Sequence, residues 1–208
     1  MSILQEGLDE YLADLIPERG KLLQEMEEIA EENGFPIVGP QVRQVLMQYA
    51  ILVDAKRIFE LGSGYGYSAM WWAKATDEDC HIWCTDSDPA NKVQADGFFT
   101  QAGYQDRITF LVGDALTQLE KVDGDFDIIY CDVNKEQYPE VYKQALPRLR
   151  KGGLLITDNT LWSGRVLEDN PSESTRGVIK YNQLAFNDDR VLSMILPIRD
   201  GVCVSLKL

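Results

Sequence analysis

The chain has 208 residues, 45% hydrophobic and 26% charged, which is enough apolar content to bury a core and excludes disorder as its main theme. With 34 acidic residues against 20 basic ones, the net charge is −14, which weighs against a surface that neutralises many phosphates and against a polybasic membrane anchor. The charge is uneven: residues 1–32 hold ten acids and two bases, a net −8, read as the solvated face of N-terminal helices.

Apolar residues first recur at helical spacing. Leu8, Leu12 and Leu15 form one such set, Leu22, Leu23, Met26 and Ile29 a second, and Val42, Val45, Leu46, Tyr49 and Val53 a third. Asn33-Gly34 and Gly39-Pro40 punctuate them. Short β-rich runs follow at 57–61, 81–85, 108–112, 126–131, 154–157, 191–196 and 202–206. Helices are predicted between them at 67–75, 91–102, 115–121, 140–149 and 174–186. This alternation predicts βαβ units and one three-layer α/β domain over 1–208, with a helical N-terminal extension at 1–54 and an α/β core at 55–208. Residues 197–201 are too few for a crossover and contain Asp200-Gly201, so the last of the seven strands is predicted antiparallel in a mostly parallel sheet.

No apolar run approaches the roughly 18 residues that cross a bilayer, and the N-terminus lacks the basic start of a signal peptide, so a cytoplasmic protein is expected. Cys80, Cys84, Cys131 and Cys203 form no C-x-x-C pair and read as buried, reduced thiols. His81 begins a strand at the end away from any ligand and reads as structural.

The first strand runs into Glu60-Leu61-Gly62-Ser63-Gly64-Tyr65-Gly66-Tyr67-Ser68 and then a helix. Glycines at a strand-helix junction let a ligand approach the backbone, and parallel sheets bind ligands at strand carboxyl ends. The spacing is G-x-G-x-G, not that of a pyrophosphate-binding turn, which favours a cofactor with an uncharged linker over a nicotinamide dinucleotide. Asp86, directly after the second strand, is placed to accept ribose hydroxyls. Asp88, before Pro89, reads as a helix cap. Asp114, after the third strand, can reach an adenine amino group.

Asp132 ends the fourth strand and Asp158-Asn159 the fifth. If these strands are neighbours, two carboxylates and an amide oxygen converge, a donor set suited to Mg²⁺, Mn²⁺ or Ca²⁺ and not to zinc. Lys135 lies three residues from Asp132, in position to act as a base beside a dication. Trp162 follows the metal pair in a loop and suits an aromatic acceptor. Tyr65, Trp71 and Trp72 are further pocket candidates, although the two helical tryptophans read better as core.

These pieces resemble the cation-dependent class I O-methyltransferases that use S-adenosylmethionine, of the caffeoyl-CoA and catechol type. The matching segments are 55–62, 66–69, Asp132-Val133-Asn134-Lys135 with Tyr138, 157–164 and 196–201. The resemblance implies a Rossmann-like methyltransferase fold, a homodimer, and a metal on Asp132, Asp158 and Asn159. It implies a cofactor surrounded by Val38, Glu60, Gly62, Ser63, Ser68, Asp86, Ala115 and Asp132, with Ser68 at its carboxylate and Asp86 at its ribose. It also implies Lys135 as base and Ser163 at the substrate. The expected reaction is methylation of a small vicinal dihydroxy-aryl acceptor.

Two departures stand out. Arg43 occupies a position where the family usually has Gly before Gln, here Gln44, and the acidic N-terminal segment disfavours the diphosphate of a coenzyme A ester. The alternative readings are a methyltransferase of a hydroxylated tRNA nucleoside, using Arg148, Arg150 and Lys151 as a modest basic patch, a nicotinamide-dependent oxidoreductase, and a non-catalytic metal-stabilised protein.

Overall fold

Side chains on successive residues of a strand point to opposite faces, and here both faces are apolar, so the sheet must be covered on both sides. Ile58, Ile82, Ile128, Ile156 and Val204 enter one buried cluster, while their odd-numbered neighbours Phe59, Ile129, Leu155 and Cys203 enter the other. The computed structural model describes residues 7–17 and 19–208. Glu6 and Glu18 of the acidic segment lie outside these.

Three helices come first, α1 (Leu8–Asp14), α2 (Lys21–Asn33) and α3 (Pro40–Leu52). The alternating core follows as β1 (Arg57–Leu61), α4 (Tyr67–Ala75), β2 (His81–Asp86), α5 (Pro89–Ala102), β3 (Ile108–Val112), α6 (Ala115–Lys121), β4 (Phe126–Cys131), α7 (Tyr138–Ala145), β5 (Leu149–Thr157) and α8 (Glu173–Phe186). The chain closes with β6 (Val191–Leu196) and β7 (Val202–Lys207). The seven strands are ordered β3-β2-β1-β4-β5-β7-β6, and β7 runs antiparallel to both of its neighbours, as the short 197–201 turn predicts. Helices α2 and α3 bury Leu23, Met26, Ala30, Val42 and Leu46 in the same cluster as α4 and α5. Helices α6, α7 and α8 cover the opposite face.

Two elements differ from the sequence reading by more than two residues at an end. The fifth strand begins at Leu149, not 154, because it continues through Gly152-Gly153, where the pairing with β4 shifts register between Phe126 and Ile128. The helix predicted at 140–149 occupies Tyr138–Ala145 and tightens into a 3-10 turn at Leu146–Arg148, where Pro147 removes a backbone donor. The four cysteines are free and buried. No described helix is long and apolar enough to cross a membrane.

Helix α8 carries the fold toward the site by packing on the 3-10 turn Lys135–Gln137 through Gly177, where a Cβ would lie 2.2 Å from the Lys135 carbonyl oxygen. Gly177→Ala therefore forces two backbones apart. The expected cost, roughly 1–3 kcal/mol for overpacking, outweighs the roughly 1 kcal/mol that alanine gains over glycine inside a helix. Urea unfolding should show a lower midpoint for the variant; an equal or higher midpoint would mean that the contact yields freely.

Candidate active site

Strand order reverses direction between β1 and β4, and that crevice is where α/β sheets bind ligands. The Asp132 amide donates to the Leu61 carbonyl at 2.8 Å, drawing the end of β4 onto the glycine turn. Gly62 sits there at φ 85°, and a Cβ would lie 2.4 Å from the Asp132 carbonyl oxygen, so position and conformation both require glycine. From the other side, the Ser63 amide donates to the Thr85 carbonyl at 2.8 Å and the Gly64 amide to Asp86 Oδ2 at 3.2 Å.

A cavity of about 840 Å³ opens above these strand ends. On the glycine side it is lined by Val38, Gly62, Ser63, Ser68, Asp86, Asp114 and Ala115. On the other side it is lined by Asp132, Lys135, Asp158, Asn159 and Trp162. Asp86 is half-buried, and its Oδ1 accepts the Asp88 amide at 2.8 Å and the Asn91 side chain at 3.0 Å. Asp88 caps α5 through the Ala90 amide, as read from Asp-Pro. Asp114 caps α6, and the Thr117 amide and hydroxyl that it accepts hold its carboxyl below the usual carboxylate range.

Two predicted site residues do not reach the cavity wall. Glu60 shares the strand face of Ile58, so it points into the core toward α4, where it is fully buried and accepts the Ser68 hydroxyl and the Trp72 indole N–H, the latter at 2.9 Å. It supports Ser68 from beneath. Ser163 is exposed outside the wall, its amide donating to Asp200 Oδ1. Among the aromatic candidates only Trp162 lines the cavity. Tyr65 is buried with its hydroxyl on the Met26 carbonyl at 2.7 Å, and Trp71 and Trp72 are core. His81 meets Thr109 Oγ1 at 2.8 Å, and the cavity wall does not include it. Arg148 is spent on the carbonyls of Leu119, Val122 and Gly124, and Arg150 on Asp127 at 2.5 Å and the Val53 carbonyl, so both serve the fold instead of forming a free basic patch.

On the acidic side, Lys135 Nζ donates to Asp132 Oδ1 at 2.9 Å and to the Val133 carbonyl at 3.3 Å, and it lies 5.0 Å from the Tyr138 ring centre and 5.5 Å from that of Trp162. Asp158 is only 4% exposed and makes no ion pair among the described residues. Its Oδ1 accepts the Asn159 amide at 2.8 Å and its Oδ2 the Tyr130 hydroxyl at 3.3 Å. Burial, reinforced by the charge of Asp132, pushes the Asp158 carboxyl up to about 7. Among the described residues no three His, Cys, Asp or Glu side chains form a metal-ligand group. The set available is two carboxylates and one amide, hard oxygen donors that fit Mg²⁺, Mn²⁺ or Ca²⁺, and a buried carboxylate without a counter-cation fits such an ion well.

Tyr130 and Arg199 also line the cavity, and neither was assigned chemistry from sequence. Tyr130 was readable in principle, because it precedes Asp132 by two residues and so shares its strand face. Arg199 lay within a matching segment, 196–201, but a lone arginine carries no spacing signal. It stands at φ 46°. Asn159 at 55°, Trp162 at 49° and Ser163 at 52° put three more non-glycine residues of this region in the left-handed conformation.

The O-methyltransferase family pattern matches residues 13–208. The chain belongs to the O-methyltransferase family. It is 31% identical over 198 residues to the catechol O-methyltransferase of Niastella koreensis, covering 92% of this chain and 90% of that one. It is 29% identical over 219 residues to the caffeoyl-CoA O-methyltransferase of Eucalyptus gunnii, covering 97% and 88%. Among solved structures, a methyltransferase from Geobacter sulfurreducens superposes with a TM-score of 0.86 at 26% identity, covering 100% of this chain and 98% of that one. An O-methyltransferase from Bacillus cereus, solved in complex with SAH, shares the fold with a TM-score of 0.88 at 23% identity, covering 97% of each chain.

Within this O-methyltransferase, Glu60 is a second buried carboxyl pushed up to about 7, chiefly by burial, with the Ser68, Ser63 and Trp72 hydrogen bonds opposing the shift. An acid whose folded pKa exceeds its unfolded value of about 4.3 binds its proton more tightly when folded. Its contribution is present at low pH and is lost as pH climbs from about 4 through about 7. Glu60→Gln, which cannot ionise, should flatten that part of the pH dependence. In urea unfolding of the ligand-free protein between pH 5 and 8, the variant should lose less stability than the parent; an identical slope would refute the assignment.

Proposed function

We propose that this O-methyltransferase transfers a methyl group from S-adenosylmethionine to one hydroxyl of a small vicinal dihydroxy-aryl acceptor, with a divalent cation, Mg²⁺ first among Mg²⁺, Mn²⁺ and Ca²⁺. The observation that carries this reading is that one cavity joins the glycine turn after β1 to Asp132, Asp158 and Asn159. The names of the catechol and caffeoyl-CoA relatives support the acceptor class. So does Trp162, an aromatic wall beside the acidic cluster.

Asp132, Asp158 and Asn159 would hold the cation, and Val38, Gly62, Ser63, Ser68, Asp86, Asp114, Ala115 and Asp132 itself would surround the cofactor. When bound, S-adenosylmethionine supplies an activated methyl and the cation supplies Lewis acidity to the acceptor hydroxyls. Lys135, kept beside Asp132 by its 2.9 Å bond, acts as the base once its ammonium has given a proton to solvent, the neutral amine then receiving the proton released from the acceptor hydroxyl. Asp132 belongs to both ligand sets, so it fixes the distance between them. Because the donor is already activated, positioning is the main protein contribution, worth roughly 7–11 kcal/mol in well-aligned cases. Homodimer formation belongs to the same reading, with the exposed Leu8, Tyr11, Leu15, Ile51 and Leu52 of α1 and α3 and the residues just after α1 as apolar interface material.

The test is methyl transfer from labelled S-adenosylmethionine to catechol, caffeate, caffeoyl-CoA and bulk tRNA, with Mg²⁺ and with excess EDTA. Transfer to a catechol that EDTA abolishes is expected. Asp158→Ala should reduce it by more than about 100-fold and remove the response to added metal, exceeding the 10–100-fold that outer-shell partners of a metal typically cost. Full turnover in EDTA would overturn the metal role, and transfer confined to tRNA would overturn the acceptor class.

A further inference from the structure

Helix α2 stands against the glycine turn through two phenols. Tyr65, inside the turn, donates its hydroxyl to the Met26 carbonyl at 2.7 Å, and Tyr67, the first residue of α4 and part of the cavity wall, donates its hydroxyl to Glu27 Oε1. Glu27 also receives Arg43 Nη1 at 3.2 Å and Arg19 Nε at 2.5 Å. Arg43 is 3% exposed, its guanidinium stacks on Trp71 at 4.6 Å from the ring centre, and its Nη1 is 3.4 Å from the Tyr67 hydroxyl. Beside this network, Phe35 packs edge-on to Tyr65 and fills the space above Gly64, where a Cβ would meet its ring at 2.6 Å. Phe35 and Val38, from the segment joining α2 to α3, line the cavity too.

We propose that Glu27 is a positioning residue for the cofactor: it joins Arg43 to Tyr67 and so clamps the glycine turn between α2 and α4. The buried Arg43 requires a carboxylate partner, and Glu27 is the one that meets it. That partner is also the acceptor for Tyr67, so docking of α2 and the shape of the cofactor wall are set by one side chain. Linkage is reciprocal: if α2 in place favours the cofactor, a bound cofactor must hold α2 in place by the same factor. The acidic N-terminal segment is then part of the binding apparatus at one position, Glu27, and a solvated face at the exposed α2 acids Glu25, Glu28, Glu31 and Glu32. The inference rests on the S-adenosylmethionine reading above.

The experiment measures S-adenosylhomocysteine affinity by calorimetry, and amide hydrogen exchange of residues 21–33 with and without that ligand, in the full-length parent, Glu27→Gln, Tyr67→Phe and the double variant. Steady-state KM for S-adenosylmethionine and kcat are measured alongside. The parent should bind the ligand and protect 21–33. Glu27→Gln should weaken binding roughly tenfold, within the 5- to 150-fold span usual for coupled sites, and lose the ligand-induced protection. Its KM for the cofactor should rise while kcat at saturation stays within about twofold, a split that general destabilisation would not give. The effects of Glu27→Gln and Tyr67→Phe should be less than additive in the double variant. If Glu27→Gln does not fold, Tyr67→Phe alone should weaken binding and reduce protection. Parent-like affinity and unchanged protection in the folded variants overturn the clamp while leaving the cofactor reading intact. No binding of S-adenosylhomocysteine by the parent overturns the cofactor reading and the clamp with it.

Discussion

The site depends on a single close approach between backbones. Gly62 lies against the Asp132 carbonyl with no room for a Cβ, and the Asp132 amide bonds to Leu61 next to it. This contact brings the turn after β1 and the carboxylate after β4 together, so the two proposed ligand sets share Asp132. Everything else in the cavity is arranged around it. Asp86 holds Gly64 from β2, Lys135 returns to Asp132 from the following 3-10 turn, and α8 braces that turn through Gly177.

The electrostatic consequence is a ligand-free protein that carries unfavourable carboxyls. Glu60 and Asp158 are buried, and both are pushed up to about 7, with burial as the first cause and Asp132 adding repulsion to each. Of the two, only Asp158 lines the cavity, where the proposed cation would offset its burial, whereas Glu60 lies beneath the wall on the Ser68 hydroxyl and the Trp72 indole. The −14 of the whole chain says little about this, because most of the acids are solvated and only a few face the cavity or its floor.

Most of the fold was legible because its periodicities are clean. Short β-rich runs separated by helical segments predict β1, β3, β4 and β6 to the residue, and the Asp200-Gly201 reversal predicts the antiparallel pairing of β7. The start of β5 was not legible, since Gly152-Gly153 reads as a loop and becomes strand only through pairing with β4. Within the site, side chains that directly end a strand were readable: Asp86, Asp132 and Asp158 all line the cavity. Glu60 was harder, because its position in the motif suggests a ligand while its strand parity points it at Ser68 and Trp72. Arg43 was legible only as a departure. Its meaning depends on Glu27, sixteen residues away on another helix, and no local pattern encodes that pair.

The two sides of the cavity are also built from different backbone chemistry. On the glycine side, left-handed turns fall on Gly62, Gly64 and Gly66, which adopt them without penalty. On the other side, Asn159, Trp162 and Arg199 hold the same conformation with side chains attached, at about 1–3 kcal/mol each for strained sites of this kind. Mutation therefore explores the two sides unequally. A change among the glycines adds strain, whereas glycine in place of Trp162 or Arg199 would release it, so one wall resists drift while the other has room for it.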